Sequence, residues 1–271
     1  MEIQFFCPRW GSEQLNWDLF CHKLRQVGYD GFEYGIASTA SEKELNEIWN
    51  TAEKNNLKVI IQHYDTYEAD FSKHFEQYCA WLEKVKPYPC VKINSQTGKD
   101  YFNIQQNSAL IEAALQVSVQ TGIPIVHETH RNKFSFAAHI TKEYLKKFPD
   151  LKITLDASHW VCVAESYLED QSQVMQLAIE RTEHLHARVG YPCGPQVPDP
   201  RVSEWQQAVN MHLNWWDKVA ARKKSEQALL TITPEFGPYP YMVYLPGNAS
   251  PVCNQWDVNV FMMELLKNRY S

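Results

Sequence analysis

Little in the 271-residue chain ties it to a membrane, a nucleic acid or an oxidising compartment. No apolar run approaches the roughly 20 residues that span a bilayer. The formal net charge is −6, so the basic excess of a nucleic-acid surface is absent. The seven cysteines stand singly, without a C-x-x-C pair, and their odd number suits free thiols in a reducing cytosol. The opening residues Glu2 to Phe6 carry no basic segment followed by an apolar stretch of the signal-peptide kind, which also implies a cytoplasmic protein. No G-x-G-x-x-G follows the first apolar run, which argues against a dinucleotide-binding sheet. No linker-like change of composition interrupts the chain, so one domain over 1–271 is expected.

What is present is a regular alternation. Short apolar or β-branched runs predict strands at Ile3 to Cys7, Gly31 to Tyr34, Leu57 to His63, Cys90 to Asn94, Ile123 to Glu128, Leu151 to Asp156, His184 to Val189 and Leu229 to Glu235. Helical patterns follow each, beginning with Asn16 to Val27 and ending with Asn254 to Arg269. Ser41 with Glu44 reads as a capping box, and Ser203 as the cap of the helix holding Val209 and Trp216. Eight strand–helix units in this length predict an α/β fold, a (β/α)8 TIM barrel. Eight of the fourteen prolines fall in the loops after the seventh and eighth strands (Pro192, Pro195, Pro198, Pro200; Pro238, Pro240, Pro246, Pro251). Proline restricts φ, so these loops should form stiff walls at the catalytic face.

Ionisable residues concentrate at the C-terminal strand ends. Six of the ten histidines lie there: His63, His127, His130, His159, His184 and His186. Four successive strand ends offer one metal-ligating side chain each: Glu128, Asp156, His186 and Glu235. Neighbouring strands are only about 4.8 Å apart, so four such side chains can converge on one ion. Three carboxylates and an imidazole suit Mn²⁺ first, with Mg²⁺, Co²⁺ or Zn²⁺ as alternatives; the absence of thiolates weakens the case for zinc. His186 is preferred to His184 because it lies nearer the strand end, and His127 has the parity of a residue facing a helix. Arg188 shares the parity of His186 and can hold a carboxylate, a phosphate or an enediolate oxygen, or bridge to a ligand carboxylate. His63 and His130, the latter with Arg131, are candidate substrate contacts. Trp10, Trp160, Tyr239, Tyr241 and Tyr244 are candidates for an apolar wall against a sugar ring.

Taken in order, Gly31-Phe32-Glu33, Glu128-Thr129-His130-Arg131, Asp156-x-x-His159, His186-Ala187-Arg188-Val189-Gly190 and Pro234-Glu235-Phe236-Gly237-Pro238 resemble the xylose isomerase-like TIM barrel superfamily, and within it the sugar phosphate isomerase/epimerase group and its ketose epimerase branch. The resemblance spans nearly the whole chain. It implies Glu128, Asp156, His186 and Glu235 as ligands of one divalent metal ion, Glu128 and Glu235 as an acid/base pair on opposite faces of a sugar, and His159 as a contact to a substrate hydroxyl. The ketose epimerases carry a substrate-binding Arg several residues after the strand-seven His, whereas Arg188 follows His186 by two. The endonuclease IV-like branch shares the Asp-x-x-His and the glutamates but binds three zinc ions. Asn94 stands where its strand-four His would be, and no Asp-x-His follows the seventh strand.

The function implied is a metal-dependent isomerase or epimerase that moves a proton at a carbon beside a carbonyl of a small sugar or polyol. A lyase, dehydratase or hydrolase on a modified sugar or cyclic polyol is the alternative, and a non-catalytic binding barrel the third. A homo-oligomer is compatible with the sequence. The lack of a Gly-rich phosphate cradle points to an unphosphorylated substrate.

Overall fold

Parallel strands cannot be joined by tight turns, so each must be followed by a crossover that returns the chain to the starting edge. The structure, a computed structural model, describes residues 2–247 and 249–271. Its strands are β1 (Ile3–Pro8), β2 (Gly31–Gly35), β3 (Lys58–His63), β4 (Lys92–Ser95), β5 (Ile125–Glu128), β6 (Ile153–Leu155), β7 (Thr182–His186) and β8 (Leu230–Thr233). All neighbours pair in parallel in chain order and β8 closes on β1. The crossovers are α1 (Trp17–Val27), α2 (Glu42–Lys54), α3 (Phe71–Val85), α4 (Ile104–Thr121), α5 (Ala138–Lys147), α6 (Ala157–Ala164), α7 (Ser172–Arg181), α8 (Gln206–Ser225) and α9 (Gln255–Tyr270). The fold is a (β/α)8 barrel.

Local chemistry sets the element ends. Asn16 caps α1, its side chain accepting from Leu19 N–H at 2.8 Å, and Gly28 ends that helix at φ 84°, where a Cβ would be strained. Asn103 and Gln106 form a reciprocal capping box on α4. Ser41 accepts from Glu44 N–H at 3.2 Å, but the expected box is only half made, because the Glu44 carboxylate takes the Tyr34 hydroxyl at 3.3 Å. Ser203 does not cap α8: it opens a 3-10 turn, Ser203–Trp205, and its hydroxyl bonds to Glu204. The strand expected to run through Asp156 stops at Leu155. There Asp156 leaves the sheet to cap α6, an unforeseen helix, its Oδ1 accepting from Ser158 N–H at 3.0 Å. β8 stops at Thr233 because Pro234 has no N–H for the ladder.

The outward faces of the strands carry the apolar core, including Phe32, Ile61, Ile93, Leu155 and Ile232 beneath the helices. The lumen differs from the branched aliphatic filling usual for this fold. Phe6, Ile60 and Val126 are there, but so are Glu33, Lys92, Asn94, Thr154, His184, Thr231 and Thr233, all buried. Glu33 on β2 bonds to Asn94 on β4, His184 and His186 on β7 and Thr233 on β8, none of them on a neighbouring strand, so its carboxylate lies across the barrel.

The two proline-rich loops are tied together by Gln196, which donates to Gly237 O at 3.2 Å and accepts from Gly237 N–H at 2.8 Å. A Cβ on Gly237 would stand 2.2 Å from the Trp10 ring, so only glycine allows that ring to close on the loop.

His212 on α8 supports the loop after β7. Its Nδ1–H donates to Ala208 O at 2.9 Å and its Nε2 accepts Gly190 N–H at 3.3 Å, so it must be neutral. Burial holds its pKa down at about 4. The unfolded chain, titrating near 6.5, takes up this proton first, so His212 costs stability as pH falls from about 6.5 towards 4. In His212→Gln the dependence of unfolding free energy on pH in that window should be shallower by up to about 1.4 kcal/mol per pH unit, measured by urea unfolding at pH 4.5, 5.5 and 7. Equal slopes in the two proteins would show that His212 is not held neutral.

Candidate metal centre

Glu128 ends β5, His186 ends β7, Asp156 follows β6 by one residue and Glu235 follows β8 by two. One ligand atom from each of these four buried side chains falls within a 4.8 Å cluster. His186 Nδ1 lies 2.8 Å from Glu235 Oε2 and 3.6 Å from Glu128 Oε1.

The other atoms of the same side chains are held elsewhere. Gln62 Nε2 donates to Glu128 Oε2 at 3.4 Å and to Glu235 Oε1 at 3.3 Å, and Asn94 and Gln96 each donate to Glu128 Oε2 at 3.2 Å. The amides therefore occupy one oxygen of Glu128 and one of Glu235, leaving Glu128 Oε1 and Glu235 Oε2 turned toward His186. On the far side of the ring, His186 Nε2 lies 3.1 Å from Glu33. A carboxylate behind a ligating imidazole fixes its tautomer and raises its basicity. Glu128 Oε1 is buried without a hydrogen-bond partner, and His186 Nδ1 meets only the Glu235 and Glu128 carboxylates. Orphaned lone pairs of this kind carry a desolvation cost that a cation would offset. The donor set thus fits a divalent ion bound by carboxylate oxygens and one imidazole nitrogen.

Asp156 is the most engaged of the four. Arg188 Nη2 bonds to its Oδ2 and lies 3.5 Å from Glu235 Oε2 and 2.8 Å from His159 Nε2, while Arg188 Nε donates to Ser158 at 3.2 Å. The guanidinium also lies over the Tyr241 ring, 4.7 Å from its centroid. Arg188 thus makes an ion pair with Asp156 and also lines the cavity above.

Charge is unevenly shared. Burial opposes protonation of His186, but Glu235, Glu33 and Glu128 together raise its pKa well above the usual histidine range. Burial would raise Glu128, yet His186, His130 and Arg188 hold it down at about 2; in Glu235 burial prevails and the carboxyl titrates above its ordinary value. His159 is pushed well down by burial and by His130 and Arg188, so it is a neutral acceptor for the guanidinium.

The other expected site residues separate. His130 lines the cavity, its ring 4.0 Å from that of His159. His63 does not face the site: it packs outward against Tyr78 and Trp81, with ring centroids 4.9 and 4.7 Å away, and bonds to Thr66. Alternation along β3 brings Gln62 inward in its place, a residue that strand parity could have found. His184 lies one layer below His186, between Glu33 and Thr231. His127 faces outward and bonds to Thr97 at 2.7 Å. Of the aromatic wall, Trp10 and Tyr241 line the cavity, edge to face at 5.3 Å. Trp160 is fully buried with its N–H on Ser135 O, and Tyr239 and Tyr244 pair with each other outside. Gln62 and Gln96 were not singled out in the sequence; Glu33 and Asn94 entered only through the family resemblance, with no place at the site. Only closure of the barrel brings these amides and the deep carboxylate to the four clustered side chains.

The cavity above the cluster holds about 770 Å³ and opens between the loops after β1, β3, β5 and β8. A roomier groove of about 1210 Å³ runs outside the barrel past Trp49, Tyr88 and Cys90, and contains none of the candidate residues. No helix among the described residues is long and apolar enough to cross a membrane.

No family model matches the sequence, and no curated protein does. Solved structures do match by shape. A probable 3-DHS dehydratase, AsbF, involved in petrobactin synthesis in Bacillus anthracis, is 16% identical at a TM-score of 0.60, with 99% of this chain and 100% of that one covered. A sugar phosphate isomerase/epimerase from Parabacteroides distasonis is 12% identical at a TM-score of 0.60, with 98% and 93% covered. An AP endonuclease, family 2, from Brucella melitensis is 10% identical at a TM-score of 0.56, with 87% and 93% covered. The chain shares its (β/α)8 barrel fold with these three proteins.

Proposed function

We propose that the protein is a divalent-metal-dependent isomerase or epimerase of a small sugar or polyol, working by proton transfer at the carbon beside a carbonyl. The observation that carries this reading is the orientation of the two glutamates. Gln62 ties one oxygen of each, so their free oxygens face a common point beside His186 under an open cavity. Glu128, Asp156, His186 and Glu235 would hold the ion, Mn²⁺ for preference, with Glu33 supporting His186 from behind. When bound, such an ion polarises a carbonyl and lowers the barrier to an enediolate.

The chain's own groups do the rest. Glu128, whose Oε1 has no hydrogen bond, takes the proton from the substrate carbon. Glu235, whose Oε2 faces the same point, returns one to the other face or to the neighbouring oxygen. Arg188 holds Asp156 and Glu235 in place, while His130 and Tyr241 bound the substrate on the side of the loops after β5 and β8.

The same pair of carboxyls can instead expel a hydroxyl, with Glu235 as its acid. A probable dehydratase is among the solved structures that share this fold, which supports keeping that reading beside the first. Isomerisation leaves the product mass unchanged, whereas dehydration lowers it by one water.

Mn²⁺ should raise the thermal midpoint and EDTA should reverse the gain; a midpoint indifferent to both would remove the metal. With metal, the protein should wash solvent deuterium into a ketose or aldose. Glu128→Gln and Glu235→Gln should each lower that rate by about 10²–10⁴-fold while the proteins stay folded. Glu33→Gln should weaken metal affinity by about 10–100-fold, read by titration of Mn²⁺, with a smaller effect on the exchange rate at saturating metal. Unchanged affinity in Glu33→Gln would leave that carboxylate a packing group only.

A further inference from the structure

Lys133, five residues beyond Glu128, lines the same cavity, yet its residue is only 3% exposed. Its Nζ is buried and has no hydrogen-bond partner. An ammonium in that position gives up hydration with nothing in return, which is costly in a folded protein. The Tyr67 ring lies beside it, 5.9 Å from Nζ to the centroid. The Nζ of Lys99, another buried lysine, lies 5.5 Å from the same ring. Two cations therefore lie beside one aromatic ring, and their repulsion adds to the desolvation that pushes the Lys133 pKa down to about 8.

Glu128 and Asp65 are the carboxylates facing Lys133, and neither forms an ion pair with it. Glu128 belongs to the metal cluster, where a bound ion would absorb its charge. One Asp65 oxygen accepts Ser38 N–H at 2.7 Å. Arg9 in the same cavity also has an unpartnered nitrogen, but its guanidinium lies 4.3 Å from the Trp17 ring centroid and donates to Leu15 O, so it is fixed as part of the wall. Lys133 has no such tether.

We propose that Lys133, backed by Lys99, is an anion subsite, and that the substrate is a polyol bearing a carboxylate or a phosphate whose charge it receives. The reading rests on the catalytic proposal above for the far end of the substrate, which would meet Glu128 and Glu235. An anion at Lys133 would supply the missing counter-charge and the hydrogen bonds its Nζ lacks. A Gly-rich cradle is then unnecessary, because a dehydrated ammonium binds an anion more strongly than one in water. Tyr67, 64% exposed over the two lysines, would cover the bound group.

Calorimetric titration with D-gluconate, D-ribulose 5-phosphate and the neutral D-glucitol tests this, using the full chain with Mn²⁺. At least one anion should bind 10-fold or more tighter than D-glucitol, and which one does so tells carboxylate from phosphate. Lys133→Gln should lose that preference while D-glucitol affinity is unchanged, and Lys133→Arg should keep part of it. Equal affinity for anions and D-glucitol, or an anion preference untouched by Lys133→Gln, would overturn the subsite. Should Lys133→Gln fail to fold, Lys99→Gln is expected to reduce the preference two- to five-fold, and no reduction would overturn it. Mn²⁺ affinity, measured alongside, separates the two readings: a protein that ignores Mn²⁺ but loses anion affinity in Lys133→Gln keeps the subsite and loses the metal chemistry.

Discussion

Four carboxylates, Glu33, Glu128, Asp156 and Glu235, are buried in or just above the barrel lumen, and the surrounding structure is organised by how their charge is offset. Burying an ionised carboxylate without compensation costs many kcal/mol, so such groups persist only when paired, ligated or protonated. Each has a different solution. Asp156 has the Arg188 guanidinium; Glu33 has the two imidazoles of β7, Asn94 and Thr233; Glu128 has three amide donors; Glu235 has Gln62 on one oxygen and His186 on the other. His186 stands between Glu33 and the glutamate pair, and its raised pKa is the direct result. A proton on His186 and a divalent ion beside it are alternatives, because both answer the same excess of negative charge, and the imidazole cannot ligate through a protonated nitrogen.

The scaffold around this cluster is rigid where the chemistry needs positioning. Glu33, Asn94, Glu128 and His186 lie on strands, and Gln62 spans two ligands from a third side of the barrel. Glu235 and Arg188 lie just past strand ends, in loops that would be loose but for their prolines and the Gln196 bonds to Gly237. Asp156 is held by its role as helix cap, and Arg188 reaches it through the same turn, bonding Ser158 as well. Supporting groups of this kind hold reacting atoms to within fractions of an ångström.

Arg188 shapes the balance between a metal and a purely protein-based centre. Its ion pair with Asp156 places a permanent cation at the edge of the cluster. That cation limits the charge Asp156 can lend to an ion, while its proximity to Glu235 helps keep that oxygen in place. In the proposed centre the three carboxylates would present a lower net charge than their number, which would suit exchange of substrate oxygens better than very tight chelation.

Much of the architecture was legible along the chain. Eight apolar runs with helical stretches between them imply a parallel sheet covered on both faces, and eight such units in this length favour its closure into a barrel over an open doubly wound sheet. The spacing of Glu128, Asp156, His186 and Glu235 at successive strand ends was enough to bring them to one place once the barrel closed. Alternation within a strand was equally decisive where it was applied, separating His127 from Glu128; at β3 the same rule selects Gln62 over His63. What only the tertiary structure decided were the contacts made across the lumen. Glu33 meets residues on β4, β7 and β8, and Lys133 meets Tyr67 and Lys99 from other loops, through distances in space that have no counterpart in sequence separation. Periodicity determines which way a side chain points from its own strand; only the closure of all eight strands determines what it finds there.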